Sequence, residues 1–185
     1  MASVLVILAP GAEEIETLTV PDVLVRAGHQ VTIASLSTVT VVDGSRGLPL
    51  AAHTRFSEVA GRDFELVYLP GGMGSATACT TDERVQDLVQ QQLANGRWMV
   101  VICAAALALL PRKLCAGRRL TSHPSTRAAL EPHCAAWLDQ AVVIDGKLVS
   151  SQGAGTALEL ALVLVELLGT RAAADQVAAA MVARR

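Results

Sequence analysis

One thiol in this chain stands where a nucleophile could be made. Cys103 follows the apolar run Trp98-Met99-Val100-Val101-Ile102 and precedes the alanine-rich stretch Ala104-Ala105-Ala106-Leu107-Ala108-Leu109-Leu110. The first reads as a buried strand and the second as a helix, which puts the thiol on the sharp turn between them. Such a turn lifts the side chain out of the sheet, and a buried, inert core thiol is the equally weighted alternative. The helix start beyond it offers unpaired N–H groups and a positive dipole end, both of which favour thiolate over thiol.

A free thiol has a pKa of ~8.5, so an enzyme that uses one at neutral pH needs help. A protonated carboxylic acid supplies it by donating a hydrogen bond to the thiolate or to an oxidised sulfur. Glu13, Glu14 and Glu16 follow the first apolar run, and residue type alone does not choose among them. Gly71-Gly72 would let main-chain N–H groups approach a reacting oxygen and form an oxyanion hole with the Ala104 N–H; the same Pro-Gly-Gly reads equally as a tight turn. His123, in Ser-His-Pro, reads as a turn residue, and Arg26 and Arg46 as solvated charges. Cys79, Cys115 and Cys134 read as core or surface thiols without a disulfide framework. The four histidines are scattered, and no metal or cofactor motif is present.

Apolar runs alternating with helical patterns argue for parallel strands joined by crossover helices. Val4 to Ala9 is the first strand, and Glu13 to Ala27 the first helix, with Ile15, Leu18, Val23 and Leu24 at helical spacing, Pro21 as a kink and Gly28 as the stop. Val31 to Ser35 is a second strand. Thr38 to Val59, with Asp43-Gly44, reads as short antiparallel strands at a sheet edge. Leu66 to Leu69 is a strand, and Glu83 to Asn95 a helix closed by Gly96. Arg119 to Thr121 reads as a short strand. Val142–Ile144 and Lys147–Ser150 form a hairpin across Asp145-Gly146, and Thr156–Leu168 and Arg171–Val182 are helices. In an open parallel sheet the loops after the first strand, Leu69 and Ile102 converge where ligands bind.

The 185 residues suit one domain spanning 1–185. A net charge of −2 points away from nucleic acid or an anionic membrane surface as partner. The N-terminal apolar run is too short for a signal peptide's core, and Thr156 to Leu168 falls short of the ~20 residues that span a bilayer. These features lead us to expect a soluble, cytoplasmic protein with reduced thiols.

Five segments in order, Leu8-Ala9-Pro10-Gly11-Ala12-Glu13-Glu14-Ile15-Glu16, Leu69-Pro70-Gly71-Gly72, Val101-Ile102-Cys103-Ala104-Ala105, Ser122-His123-Pro124 and Ser151-Gln152-Gly153-Ala154-Gly155-Thr156, give the chain its resemblance. It resembles the DJ-1/ThiJ/PfpI superfamily, in the branch of the human Parkinson-disease-associated protein deglycase and its bacterial relatives. The resemblance implies a flavodoxin-like three-layer α/β sandwich, a mostly parallel sheet with helices on both faces, forming a homodimer. It implies that Cys103 is the reactive cysteine, Glu16 the carboxyl beside it and His123 a nearby helper. Gly71, Gly72 and Ala104 match the main-chain donors, and Arg26 and Arg46 match arginines near the dimer interface. The implied activity is that of a glyoxalase III or protein deglycase, without cofactor or metal, on small aldehydes such as methylglyoxal or on glycated protein adducts. A redox sensor or redox-regulated chaperone is the alternative. A peptidase ranks below both, because its histidine would directly follow the cysteine, where Ala104 stands. Ala106 replaces a proline common in relatives, which bears on pocket shape.

Overall fold

The computed structural model describes residues 1–183. β1 (Ser3–Leu8) is buried along nearly its whole length, as expected of a strand covered on both faces. Pro10-Gly11 turns the chain into α1 (Glu14–Arg26), whose N-terminus is capped by the Glu13 side chain and which continues through Pro21. Gly28, at φ +82°, ends it, with the His29 N–H returning to the Leu24 carbonyl. β2 (Gln30–Ser35) then pairs in parallel with β1.

The next segment departs from expectation. β3 (Val41–Asp43) and β4 (Pro49–Ala51) form an antiparallel ribbon of their own, and the main sheet's edge is instead β5 (Thr54–Arg55), parallel to β2. The ribbon docks on the loop after β1 through Gly11 N–H to Asp43 O and Ser45 N–H to Ala12 O, both 2.8 Å. After α2 (Phe56–Val59) and β6 (Leu66–Leu69) comes α3 (Met73–Thr81), then α4 (Glu83–Ala94) and β7 (Trp98–Ile102).

Beyond β7 the expected α-helix is a 3-10 turn, Cys103–Leu109. β8 (Arg119–Leu120), α5 (Arg127–Leu130) and β9 (Ala136–Trp137) follow, with β8 and β9 pairing in parallel apart from the main sheet. The expected hairpin is β10 (Val142–Asp145) with β11 (Leu148–Ser151); α6 (Ala157–Leu168) and α7 (Arg171–Ala180) close the fold.

The main sheet runs β10-β11-β7-β6-β1-β2-β5, parallel except for β10. Alternation along the strands builds two cores. Val4, Val6, Leu8, Tyr68 and Ile102 pack under α1, α6 and α7, whereas Leu5, Ile7, Val67, Met99 and Val101 pack under α2, α4 and the Cys103–Leu109 turn. Each fully buried Val or Leu contributes roughly 1.5–3 kcal/mol, which is ample to fix strand register.

The inner face of α1 is a correction to its sequence pattern. Glu16, Thr17, Val20, Val23 and Leu24 are buried, while Ile15, Leu18 and Val25 are 55 %, 50 % and 57 % exposed. The helix must turn Glu16 toward the strand ends, and that rotation leaves a second apolar stripe outside.

Candidate active site

β1 lies between β2 and β6, so the chain leaves it in one direction and returns on the other side. The crevice at the strand C-termini here is the topological switch point. Three loops meet in it, and glycine allows them to. A Cβ on Gly71 would sit 2.5 Å from Glu16 Oε2 and 2.6 Å from Cys103 Cβ, and Gly72 holds φ +88°. Pro-Gly-Gly is therefore more than a turn signal, because it makes room for the acid and the thiol.

Cys103 takes φ +59°, the left-handed region that non-glycine residues rarely enter. The strained elbow expected after the strand is present. Its electrostatics differ from expectation. Burial first, then the negative charge of Glu16, push the Cys103 thiol up to about 11, against the Ala104 and Gly72 N–H groups that favour its anion. The short 3-10 turn supplies one local donor, Ala104, and the loop after β6 a second, Gly72, in place of a long helix dipole, and together they do not outweigh desolvation.

Glu16 is fully buried on the first turn of α1. Its main-chain N–H donates to Glu13 Oε2 at 2.8 Å, and the buried Tyr68 hydroxyl donates to its carbonyl at 3.0 Å. Oε2 accepts the Gly71 N–H at 2.7 Å, whereas Oε1 has no hydrogen-bond partner among the described residues. Burial raises the carboxyl to about 7, opposed by the Gly71 bond and reinforced by the Glu13 charge. The Gly71 N–H, expected as an oxyanion donor, is thus committed to Glu16; Gly72 and Ala104 remain to face the sulfur.

His123 follows β8 at the cap of a 3-10 turn, Pro124–Thr126, and its N–H donates to the Cys103 carbonyl at 3.4 Å. One point in space relates the three groups. The place a Cβ on Gly153 would occupy is 3.6 Å from His123 Cδ2, 3.9 Å from Glu16 Oε1 and 4.0 Å from Cys103 Sγ. A cleft of about 490 Å³ opens over Cys103 and His123, with Glu13, Arg46, Gly72 and Ala104 in its wall, while Glu16 stays buried behind it.

The remaining candidates separate. Arg46 lines the cleft, on the ribbon loop that Glu14 holds through the Arg46 N–H at 2.6 Å and the Ser45 hydroxyl at 2.9 Å. Arg26 is in the last turn of α1, paired with Asp22 at 2.8 Å, and does not line this chain's cleft. Cys79 and Cys115 are buried and Cys134 is half-buried. Tyr68 and Ser125 belong to the site and carry no sequence signal of their own, and Gly153, which lies in one of the five segments of the resemblance, joins them. Among the described residues, no group of three or more His, Cys, Asp or Glu is placed to hold a metal, and no helix is long and apolar enough to cross a membrane.

Residues 2–167 match the DJ-1/PfpI family. The Drosophila melanogaster protein dj-1beta is 40 % identical over 176 residues, covering 95 % of this chain and 94 % of its own length. Its crystal structure superposes with a TM-score of 0.95 at 38 % identity over 100 % of both chains. The glutathione-independent glyoxalase DJR-1.2 of Caenorhabditis elegans is 35 % identical over 169 residues, covering 90 % and 88 %. Oxidised DJ-1 of Toxoplasma gondii gives a TM-score of 0.95 at 28 % identity, again over 100 % of both chains. The flavodoxin-like arrangement of a mostly parallel sheet between helices is shared with these structures. On the strength of a match that spans all three loops of the crevice, the chain belongs to the DJ-1/PfpI family.

Proposed function

We propose that this protein is a cofactor-independent glyoxalase acting on methylglyoxal, glyoxal or their early protein adducts, with Cys103 as nucleophile. The observation that carries the reading is the convergence of Sγ, the unpartnered Glu16 oxygen and the His123 ring on one point beside Gly153, with Cys103 and His123 also lining an open cleft. The glyoxalase name of the Caenorhabditis elegans relative supports the same chemistry.

With Glu16 near 7 and Cys103 near 11, the pair takes on one negative charge as pH rises through about 7, held mainly on the Glu16 carboxylate. Passing the Cys103 proton to that carboxylate moves the charge onto sulfur, where the Ala104 and Gly72 N–H groups meet it. The thiolate adds to the aldehyde carbon, and Glu16 gives its proton to the new alkoxide, leaving a hemithioacetal and a carboxylate. Moving a proton from C1 to C2 oxidises the first carbon and reduces the second, giving a thioester. Water then releases a 2-hydroxy acid and restores the thiol. Methylglyoxal plus water becomes lactic acid with no external oxidant. Purified wild type is expected to form lactate from methylglyoxal and Cys103→Ala to form none; full activity in the variant removes this reading.

A redox sensor or redox-regulated chaperone is the second reading, favoured by the accessible, half-buried Cys103 and by the oxidised state of the Toxoplasma gondii neighbour. Two equivalents of peroxide would take the thiol to sulfinic acid with release of two waters. Intact-mass mapping decides it, since oxygen gained on Cys134 and not on Cys103 excludes the sensor.

The outward stripe Ile15, Leu18 and Val25 of α1, with Leu48 exposed on the ribbon loop, supports a homodimer through this face. Sedimentation as a monomer at micromolar concentration would remove that assignment. Four unpaired cysteines fit a reducing compartment such as the cytoplasm.

A further inference from the structure

His123 Nδ1 accepts the main-chain N–H of Ser125 at 3.2 Å and lies 2.8 Å from Ser125 Oγ. A peptide N–H only donates, so Nδ1 carries no hydrogen while this bond is made. The neutral imidazole then has its hydrogen on Nε2. Cδ2, bonded to Nε2, is the ring atom 3.6 Å from the Gly153 position shared with Glu16 Oε1 and Cys103 Sγ. The Cδ2 side of the ring, next to the nitrogen that bears the hydrogen, is thus the side turned to that position, with Nε2 no nearer to it than 4.0 Å.

The backbone around the ring is held from behind. The His123 carbonyl accepts the Thr126 N–H and the Thr126 hydroxyl, each at 2.9 Å. Trp137 Nε1 donates to the buried Ser122 Oγ at 3.0 Å, and Thr126 Oγ1 lies 2.9 Å from the same hydroxyl. The segment Ser122–Thr126 is thereby tied to β9 on one side, and by the His123 N–H to the nucleophile's own carbonyl on the other.

We propose that Ser125 is a positioning residue that fixes His123 as its Nε2–H tautomer, making His123 a hydrogen-bond donor to the substrate oxygen and leaving Glu16 to take and return the carbon-bound proton. This rests on the aldehyde chemistry proposed above. The C1 proton of the hemithioacetal passes to the Glu16 carboxylate, its electron pair forms the C1–C2 double bond, and the C2 carbonyl pair moves onto oxygen. That developing charge is what a fixed Nε2–H would meet. Glu16 returns the proton to C2, the hydroxyl proton on the C1 oxygen passes to the C2 oxygen, and the C1 carbonyl of the thioester forms. His123 gives up no proton at any stage.

Two measurements test this. Long-range 1H–15N spectra of histidine-labelled wild type are expected to show His123 with a pyridine-like Nδ1 and a pyrrole-like Nε2; the reverse pattern overturns the proposal. In the lactate assay, glutamine places an amide N–H near the position of Nε2 but offers no base. His123→Gln is accordingly expected to slow kcat about tenfold and His123→Ala about a hundredfold. Equal losses in the two variants would mean that imidazole basicity is required, and would overturn the donor role. Ser125→Pro, which removes the N–H, is expected to mix the tautomers in the same spectra and to lower kcat with little change in KM. A wild type that makes no lactate removes the aldehyde reading alone, because the spectrum decides the tautomer by itself.

Discussion

Glu14 and Glu16 are two residues apart on the first turn of α1, both buried, and their carboxyls are driven in opposite directions. Glu14 faces the ribbon loop. Burial works against its charge, yet the Arg46 N–H, the Ser45 hydroxyl and the Leu48 N–H together hold it below the usual carboxylate range. Glu16 faces the strand ends, where Gly71 offers one N–H and Oε1 is left beside a sulfur. Desolvation wins there and the carboxyl rises to about 7. Burial alone therefore does not set protonation; the number of donors that accompany it does. One turn of helix thus presents a stabilised carboxylate to a structural loop and an acid near neutrality to the Cys103 thiol.

The largest effect expected from breaking this contrast is on rate. Glu16→Gln keeps the shape and an N–H donor but cannot accept a proton from carbon, so kcat for lactate formation is expected to fall by about 10²–10⁴-fold, the range for losing a general acid–base. Glu14→Gln is expected to change kcat by no more than about threefold, since it reaches the cleft only through the loop. Steady-state kinetics on the two variants settles the comparison, and equal losses would show that Glu16 has no proton-transfer role.

How much of this was legible before folding depends on how local the signal is. β1, β6 and β7 are short runs buried on both faces, and such runs announce themselves. Asp145-Gly146 marks the β10–β11 hairpin for the same reason. α3 was missed because Met-Gly-Ser-Ala-Thr-Ala-Cys-Thr-Thr has no apolar period and a glycine near its start. The β8–β9 pairing is two residues long and depends on partners seventeen positions away, beyond any local pattern. The elbow cysteine was readable from its strand and turn. Its partner was not: Glu13, Glu14 and Glu16 look alike in sequence, and only family resemblance pointed to Glu16. Gly153 and Ser125 had no chemistry of their own to notice, since their importance lies in what they let approach or fix.

The second effect is on stability and carries a definite sign. A carboxyl whose folded pKa is raised stabilises the fold most at low pH, and that contribution is lost as pH climbs from the unfolded value of 4.5 through about 7. The interval of about 2.5 units corresponds to roughly 3 kcal/mol at most. Wild type is thus expected to lose this much between pH 4 and pH 8 relative to Glu16→Gln, whose amide does not titrate. Urea denaturation of both proteins at the two pH values measures it, and parallel curves would mean that Glu16 is not desolvated in solution.

Glu14 gives the smallest effect, with the opposite sign. A carboxyl held below its ordinary range stabilises the fold above the unfolded pKa, and that stability disappears as pH falls through the folded value. Glu14→Gln removes a carboxylate that the Ser45 hydroxyl and the Arg46 and Leu48 N–H groups all address, so the variant should be the less stable protein at pH 7 and approach wild type in acid. The loss should be local. Hydrogen exchange at the Arg46 and Leu48 amides is expected to speed up in the variant at pH 7 while the amides of β1 and β6 stay protected. Uniform acceleration across the sheet would instead make Glu14 part of the main core, and the two carboxyls would no longer serve separate halves of the turn.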